Sequence, residues 1–347
     1  MILVTGGAGY IGSHAVLYLI NKGLEVVIFD NLVTGHIETV NRLKSLSDNV
    51  HFVHGDLKNI DNIKNIFNMY KIDSVMHFAG CSVVPESVLK PDKYYLNNVV
   101  GSLNLLNTMV EFGVTKIVFS SSCATYGDPL YTPIDEKHQQ NPITPYGQTK
   151  LMIEKFLGDY DIAYGLKSVK LRYFNVIGAD AQSRIGEWHE PETHLVPNIL
   201  KSCVCDQGCL EVFGDDYDTK DGTCIRDYID VEDLVEAHYL ALNYLEVENC
   251  SNEFNIGSSF GFSVKEVLDA VNEVVAKPIN CKIGPKRKGD TPVLYANNSK
   301  AAQTLNWKPK TVLVESIKKA YEWEKSLRCL IDDQTSDPSL LPPFFTK

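Results

Sequence analysis

The sequence has no long apolar run. No stretch approaches the roughly 18 residues needed to cross a bilayer, so no membrane span is expected. The opening MILVTGG turns to glycine after Ile2, Leu3 and Val4, too soon for the apolar core of a secretory leader. A cytoplasmic location is the expectation. Positive charge is scarce: 33 Lys and Arg stand against 44 Asp and Glu, a net charge of -11. That balance argues against a nucleic-acid partner, whose phosphates need clustered cations. A few local cations still suffice for one small anionic group. The nine cysteines are an odd number in a chain too large to need staples, and they read as free thiols. Cys203, Cys205 and Cys209 lack zinc-pair spacing and a neighbouring histidine, so no metal is expected there. Internal repeats and low-complexity stretches are absent too.

What is present is ordinary globular material, 44% hydrophobic and 22% charged over 347 residues. In the first half, short apolar runs alternate with helical stretches. Strands are expected at 2–4, 25–30, 49–53, 74–80, 116–121 and 168–174. Helices are expected at 12–22, 62–69, 97–111 and 146–160. Near-continuous apolar strands separated by helices imply an α/β fold, a doubly wound parallel sheet covered on both faces. The second half is less regular. Residues 178–194 are polar and read as a loop that can close over a ligand. A helix is expected over 231–245. Ser263 and Glu266 form a capping box ahead of an apolar run, and so start another helix. A last helix is expected over 313–325, with an extended tail after Asp332.

Gly6, Gly9 and Gly12 give G-x-x-G-x-x-G between the first strand and the first helix. Missing Cβ atoms allow a tight turn and close approach of a pyrophosphate to the helix N-terminus. Asp30 ends the second strand. Its carboxylate suits ribose hydroxyls and repels a 2′-phosphate, which favours NAD over NADP. Asp56 and Asn98 are either further cofactor contacts or turn and capping residues.

Tyr146 and Lys150 stand four apart in PYGQTK, on one face of a helix that Pro145 opens. An ammonium near the phenol is expected to lower its pKa, making Tyr146 a general base and leaving Lys150 within reach of the nicotinamide ribose. Ser120, Ser121 and Ser122 cluster at the end of the fifth strand, the edge that lines the ligand crevice in open parallel sheets. Ser122 can relay a proton to Tyr146; capping a helix is its other reading. Hydride transfer follows, and these residues alone leave open whether a ketone is released or reduced again.

With these residues in place, the chain resembles the extended short-chain dehydrogenase/reductase family, in its UDP-hexose 4-epimerase branch. The resemblance runs over residues 1 to about 325. It is carried by TGGAGYIGSH, FDNL, HFAG, YYLNNVVGS, FSSSCATYGD, PYGQTKLMIEK, LRYFN, FGDDYDTKDGTCIRDYIDVEDL and KRKGD. It implies a Rossmann domain over 1–175, rejoined by a strand and helix near 228–257, and a smaller mixed α/β substrate domain over 176–345. It implies tightly bound NAD, a 4-keto sugar intermediate, interconversion of UDP-glucose and UDP-galactose, and a homodimer. Ser122, Tyr146 and Lys150 become the catalytic set. Gly6, Gly9, Tyr10, Ile11, Gly12, Asp30, Asn31, Asp56, Leu57, Asn98 and Tyr173 map onto the NAD site, together with Tyr146 and Lys150. The UDP-sugar maps onto Ser122, Tyr146, Asn175, His194, Leu195, Phe213, Arg226, Arg287, Asp290 and Leu294. Three positions depart from the pattern. Ser82 stands where some members carry Lys, and His194 where some carry Asn. Leu294 replaces a bulky Tyr that excludes N-acetylated sugars. An Asp-Glu pair after the strand-end Ser would mark a 4,6-dehydratase; here Cys123 and Ala124 follow it.

Overall fold

The computed structural model describes residues 1–204, 210–277, 279–287 and 290–336. Its first half runs β1 (Ile2–Thr5), α1 (Tyr10–Asn21), β2 (Val26–Asp30), α2 (Ile37–Leu46), β3 (Val50–His54), α3 (Ile60–Met69) and β4 (Ser74–His77). It continues through α4 (Val84–Leu89), α5 (Pro91–Tyr94), α6 (Gly101–Glu111), β5 (Lys116–Ser122), α7 (Pro145–Tyr164) and β6 (Lys167–Tyr173). Every residue of β1, β2 and β4 is buried, as strands covered by helices on both faces require.

The second half holds β7 (Asn175–Ile177), α8 (Leu195–Val204), β8 (Leu210–Phe213), β9 (Ile225–Arg226), β10 (Tyr228–Asp230) and α9 (Val231–Glu248). Then come β11 (Asn252–Ile256), β12 (Phe262–Ser263), α10 (Val264–Val275), β13 (Cys281–Gly284), β14 (Val293–Leu294), α11 (Ser299–Thr304) and α12 (Leu313–Ser336). The main sheet has seven parallel strands in the order β11-β6-β5-β4-β1-β2-β3. The chain moves outward from β1 on one side and then from β4 on the other. The crevice between these two strands, at their C-terminal ends, is where such sheets take ligands.

Two apolar clusters cover the faces of this sheet. One is built on Val4, Ile28, Val118 and Leu171 with α1 and α9, the other on Leu3, Val27, Val75 and Phe119 with α3, α6 and α7. A third core, around Ile199, Val212, Val267, Val271 and Ile317, joins α8, α10 and α12. The small sheets β12-β9-β14, β7-β10 and β8-β13 lie in the second half.

Helix starts follow local chemistry. Thr144 Oγ1 accepts from the Gly147 N–H at 3.2 Å ahead of Pro145 and α7. At α10, Ser263 and Glu266 cap each other reciprocally, as the capping box predicts.

Some elements differ from expectation. The fourth strand stops at His77, because the Phe78 and Ala79 N–H groups both turn onto the Thr5 carbonyl. A π-helical turn, Tyr95–Val100, precedes α6 and rotates Asn98 inward. Helices α4 and α5 carry too few turns to give a clear period, and α2 buries only Val40 and Leu43, too narrow an apolar stripe to read. The last helix continues to Ser336, so residues 333–336 are helical rather than extended; the rest of the tail lies outside the described residues. Cys205 and Cys209 also lie outside them, and Cys203 sits on α8. No helix among the described residues is long and apolar enough to cross a membrane.

One ion pair is buried where α7 crosses β6. Arg172 Nη2 lies 2.6 Å from Glu154 Oε2, and both side chains are almost wholly buried. Ser121 donates to Glu154 at 2.5 Å, and Arg172 donates to the Tyr126 hydroxyl at 3.0 Å. Tyr126 passes the link to Asn255 on β11 at 2.7 Å. Removing one charge strands the other in a dry interior. Arg172→Met is expected to lower unfolding free energy by about 3–5 kcal/mol. Urea denaturation monitored by circular dichroism checks this; a loss under about 1 kcal/mol would mean that water reaches Glu154.

Candidate active site

The glycine turn is built by contact distance. Gly6 has φ +72°, and its N–H donates to the Phe29 carbonyl at 2.9 Å. A Cβ on Gly12 would fall 2.1 Å from the Gly6 carbonyl oxygen, so only glycine lets α1 start so near the turn. Gly9 is the N-cap of α1 and offers no side chain to its first N–H groups. This bare, positive helix end is a cradle for a pyrophosphate, and the residues present fit the NAD that the fold implies.

Asp30 lies beside that cradle. One carboxylate oxygen accepts from the Ala8 N–H at 3.0 Å and the other from the Leu32 N–H at 2.8 Å. Burial pushes its carboxyl up, opposed by those two bonds. Asn31 donates to Asp56 at 3.0 Å. The Asp56 carboxyl sits below its usual range: burial would raise it, but the Lys58 N–H and the Asn31 amide outweigh that. Leu57 is buried in the second cluster, and Ile11 packs against the first. The Tyr10 hydroxyl donates to the Gly178 carbonyl at 2.7 Å, so the cofactor turn also holds the start of the long loop. Asn98 accepts from the Cys81 N–H at 2.7 Å and donates to both the Cys81 carbonyl and Thr149. It therefore ties the chain after β4 to α7.

Ser122, Tyr146 and Lys150 are all buried at the C-terminal end of β5. Ser122 stands beside Tyr173 in the β5–β6 register. Its Oγ accepts from the Ala124 N–H at 3.1 Å, so it does cap the short 3-10 turn Cys123–Thr125. It also acts on the Tyr146 phenol, favouring the ionised form. The expected lowering of that phenol is corrected here. Burial pushes Tyr146 up to about 12, and only Ser122 opposes this. Lys150 Nζ instead donates a hydrogen bond to the Ser120 carbonyl at 2.7 Å, and it lies 5.9 Å from the centre of the Tyr146 ring. Burial also lowers Lys150 to about 8.

Several polar residues behind this edge escaped the sequence reading. His77 bridges Thr5 at 2.7 Å and Ser102 at 2.8 Å. Ser102 in turn donates to the Asn98 carbonyl, so His77 Nε2 donates to Ser102 and His77 Nδ1 accepts from Thr5. Burial drops His77 to about 3, which keeps it neutral. His238 on α9 contacts Ser120 at 2.9 Å and the Leu234 carbonyl at 2.9 Å. An isolated histidine in an apolar run gives no sequence signal of such pairing.

A second group forms on the small β12-β9-β14 sheet and the chain around it. Arg226 pairs with Leu294 in register, and its guanidinium lies 4.0 Å from Asp290. Arg287 donates to Asp290 at 3.0 Å and lies over the Phe213 ring, 4.7 Å from its centre. The Asn175 N–H bonds to the carbonyl of Asp227, the residue after Arg226. Asp227 itself is buried and accepts from the N–H groups of Ser258, Ser259 and Ala296, which fixes β9. Arg226 also reaches the catalytic edge electrostatically: burial raises the Cys123 thiol to about 12, and Arg226 opposes it. Phe213, Arg226, Arg287, Asp290 and Leu294 are thus brought together, with Asn175 adjoining. His194 is not part of that group. Its Nδ1 faces Glu187 and Glu192, and Leu195 packs into the third core.

A bare dinucleotide cradle, a buried Ser-Tyr-Lys set and two arginines, Arg226 and Arg287, that meet at Asp290 define a nucleotide-sugar-modifying short-chain dehydrogenase/reductase. Residues 3–320 match the family described as GDP-mannose 4,6 dehydratase. The chain is 49% identical to the UDP-glucose 4-epimerase of Halalkalibacterium halodurans, covering 93% of this chain and 95% of that one. Among solved structures it is similar to UDP-glucose 4-epimerase from Brucella ovis in complex with NAD, at 42% identity and TM-score 0.89, covering 93% and 98% of the two chains. It is also similar to the UDP-Glc/GlcNAc 4-epimerase from Campylobacter jejuni, at 41% identity and TM-score 0.82, covering 94% and 99%. The chain belongs to the UDP-glucose 4-epimerase family.

Proposed function

We propose that the chain is a UDP-hexose 4-epimerase that interconverts UDP-glucose and UDP-galactose with tightly held NAD. The observation that carries this is the burial of Ser122, Tyr146 and Lys150 together at one strand end, with Arg226 of β9 and Arg287 of the chain after β13 converging on Asp290. NAD, when bound, would supply a reversible hydride acceptor for the sugar C4. Tyr146 takes the proton of the C4 hydroxyl, and Ser122 carries it between sugar and phenol. The C4–H electrons leave with the hydride, and a 4-keto sugar remains. Arg226 and Arg287 clamp the diphosphate, Asp290 takes a ribose hydroxyl, Phe213 lies against the uracil and Asn175 bonds near the diphosphate. A sugar tethered only by its diphosphate is free to turn. Proton and hydride then return to the opposite face.

Elimination of water would need an acid and a base after Ser122. Cys123 and Ala124 stand there, and a thiol raised to about 12 serves as neither at neutral pH. Leu294 packs against the cluster of Tyr126, Ile134, Phe174 and Ala296, and a leucine there is shorter than the tyrosine that would exclude an N-acetyl group. The Campylobacter jejuni relative is named for both sugar types. A homodimer is proposed through the first-half helices, where Val88 and Leu89 of α4 and Leu96 after it are exposed.

Incubation with UDP-galactose is expected to yield UDP-glucose with no added NAD; unchanged substrate would overturn the reading. Tyr146→Phe is expected to lose about 10²–10⁴ in kcat while retaining NAD. UDP-GlcNAc is expected to turn over, and Leu294→Tyr to lose that activity selectively; equal loss on both sugars would remove Leu294 from specificity. Light scattering after gel filtration is expected to give twice the chain mass, and a monomer would remove the dimer.

A further inference from the structure

The long loop carries the same short pattern twice, Glu187-Trp188-His189 and Glu192-Thr193-His194. The sequence gives no usual metal spacing, yet the fold brings all four side chains to one point. One donor atom from each lies within 4.8 Å of the other three. His194 Nδ1 is 2.8 Å from Glu187 Oε1 and 2.9 Å from Glu192 Oε1. His189 Nδ1 is 3.2 Å from Glu187 Oε1 and 3.6 Å from Glu192 Oε2. Four donors about 2.0–2.1 Å from one tetrahedral ion stand roughly 3.4 Å apart. The 3.2 and 3.6 Å separations at His189 are near that spacing, and the two at His194 are hydrogen-bond distances that would lengthen on binding.

Both histidines lie within ion-pair reach of both carboxylates. The buried His189 Nδ1 nevertheless makes no hydrogen bond of sound geometry, so it is not aligned on Glu187 Oε1, its nearer oxygen. A shared ion would give this nitrogen the partner that the ion pair does not.

We propose that Glu187, His189, Glu192 and His194 form a closed site for one divalent transition ion of the zinc class. Two neutral imidazoles and two carboxylates balance a 2+ charge. Two nitrogens among four donors suit zinc, whereas calcium and magnesium call for more ligands, all of them oxygen. With four protein donors no position stays open for substrate, so the role is structural. His194 is about half exposed and gives the ion a route in. The ion would brace the loop against both halves of the molecule. Trp323 of α12 donates to the Glu187 carbonyl at 2.8 Å, and His36 stacks on Trp188 with ring centres 3.7 Å apart. The His189 ring meets Tyr10 of the cofactor turn edge-on.

The test is zinc content after chelator treatment, zinc addition and gel filtration of the NAD-bound chain. About one zinc per chain is expected, with a rise in Tm on zinc addition. Glu192→Gln and His189→Asn are each expected to weaken zinc binding by more than about tenfold and to lose the Tm rise. Variants that keep wild-type zinc affinity would overturn the site. Cobalt added to the wild-type chain keeps the proposal falsifiable if a variant misfolds. The intense visible absorption of a four-coordinate ion supports the site. A pale six-coordinate spectrum, or no stoichiometric binding, overturns it.

Discussion

The closeness of the glycine turn to its surroundings is the constraint on which the rest depends. Gly12 leaves no space for a Cβ against the Gly6 carbonyl, and Gly6 leaves none against the Ala79 backbone. This approach draws the start of α1 to the crevice between β1 and β4. It sets the distance from the helix dipole to everything that enters there. Asp30, Asn31 and Asp56 take their places from the same turn, because Asp30 accepts from the Ala8 N–H within it and Asn31 donates to Asp56. A looser turn would move the cofactor side of the crevice relative to the Ser122–Tyr146 side.

The reacting groups are buried, and burial dominates their electrostatics. Tyr146 is pushed up and Lys150 down, each away from its charged form. Such a phenol is a poor base until positive charge and the substrate hydroxyl enter the crevice. Lys150 contributes as a fixed positive group held by the Ser120 carbonyl, some distance from the phenol.

Rigidity behind the edge comes from satisfied buried polar groups. Thr5, His77, Ser102 and Asn98 form one chain of hydrogen bonds; Ser121, Glu154, Arg172, Tyr126 and Asn255 form another. Each crosses several strands or helices, so β4, β5, β6 and β11 cannot shift independently. Asp227 does the same for the small sheet that carries Arg226. The two halves of the site are therefore set by networks of buried polar groups behind the crevice.

What was legible in the sequence is what local chemistry controls. The alternation of apolar strands and helices, the glycine spacing, the four-residue step from Tyr146 to Lys150 and the Ser263 capping box depend on near neighbours and backbone sterics. They could be read without coordinates. The short helices α2, α4 and α5, the π-turn that aims Asn98 and the run of α12 to Ser336 were not legible, because tertiary packing decides them. The protonation preference of Tyr146 was misjudged for the same reason: spacing brings Lys150 to the correct face, but only the folded chain shows its ammonium given to Ser120. The convergence of Glu187, His189, Glu192 and His194 lies in an irregular loop, where no period links sequence distance to spatial distance. Sequence alone determined which groups this chain possesses and which elements carry them. Tertiary structure decided which of those groups meet, since contacts between distant segments depend on packing that no local pattern encodes.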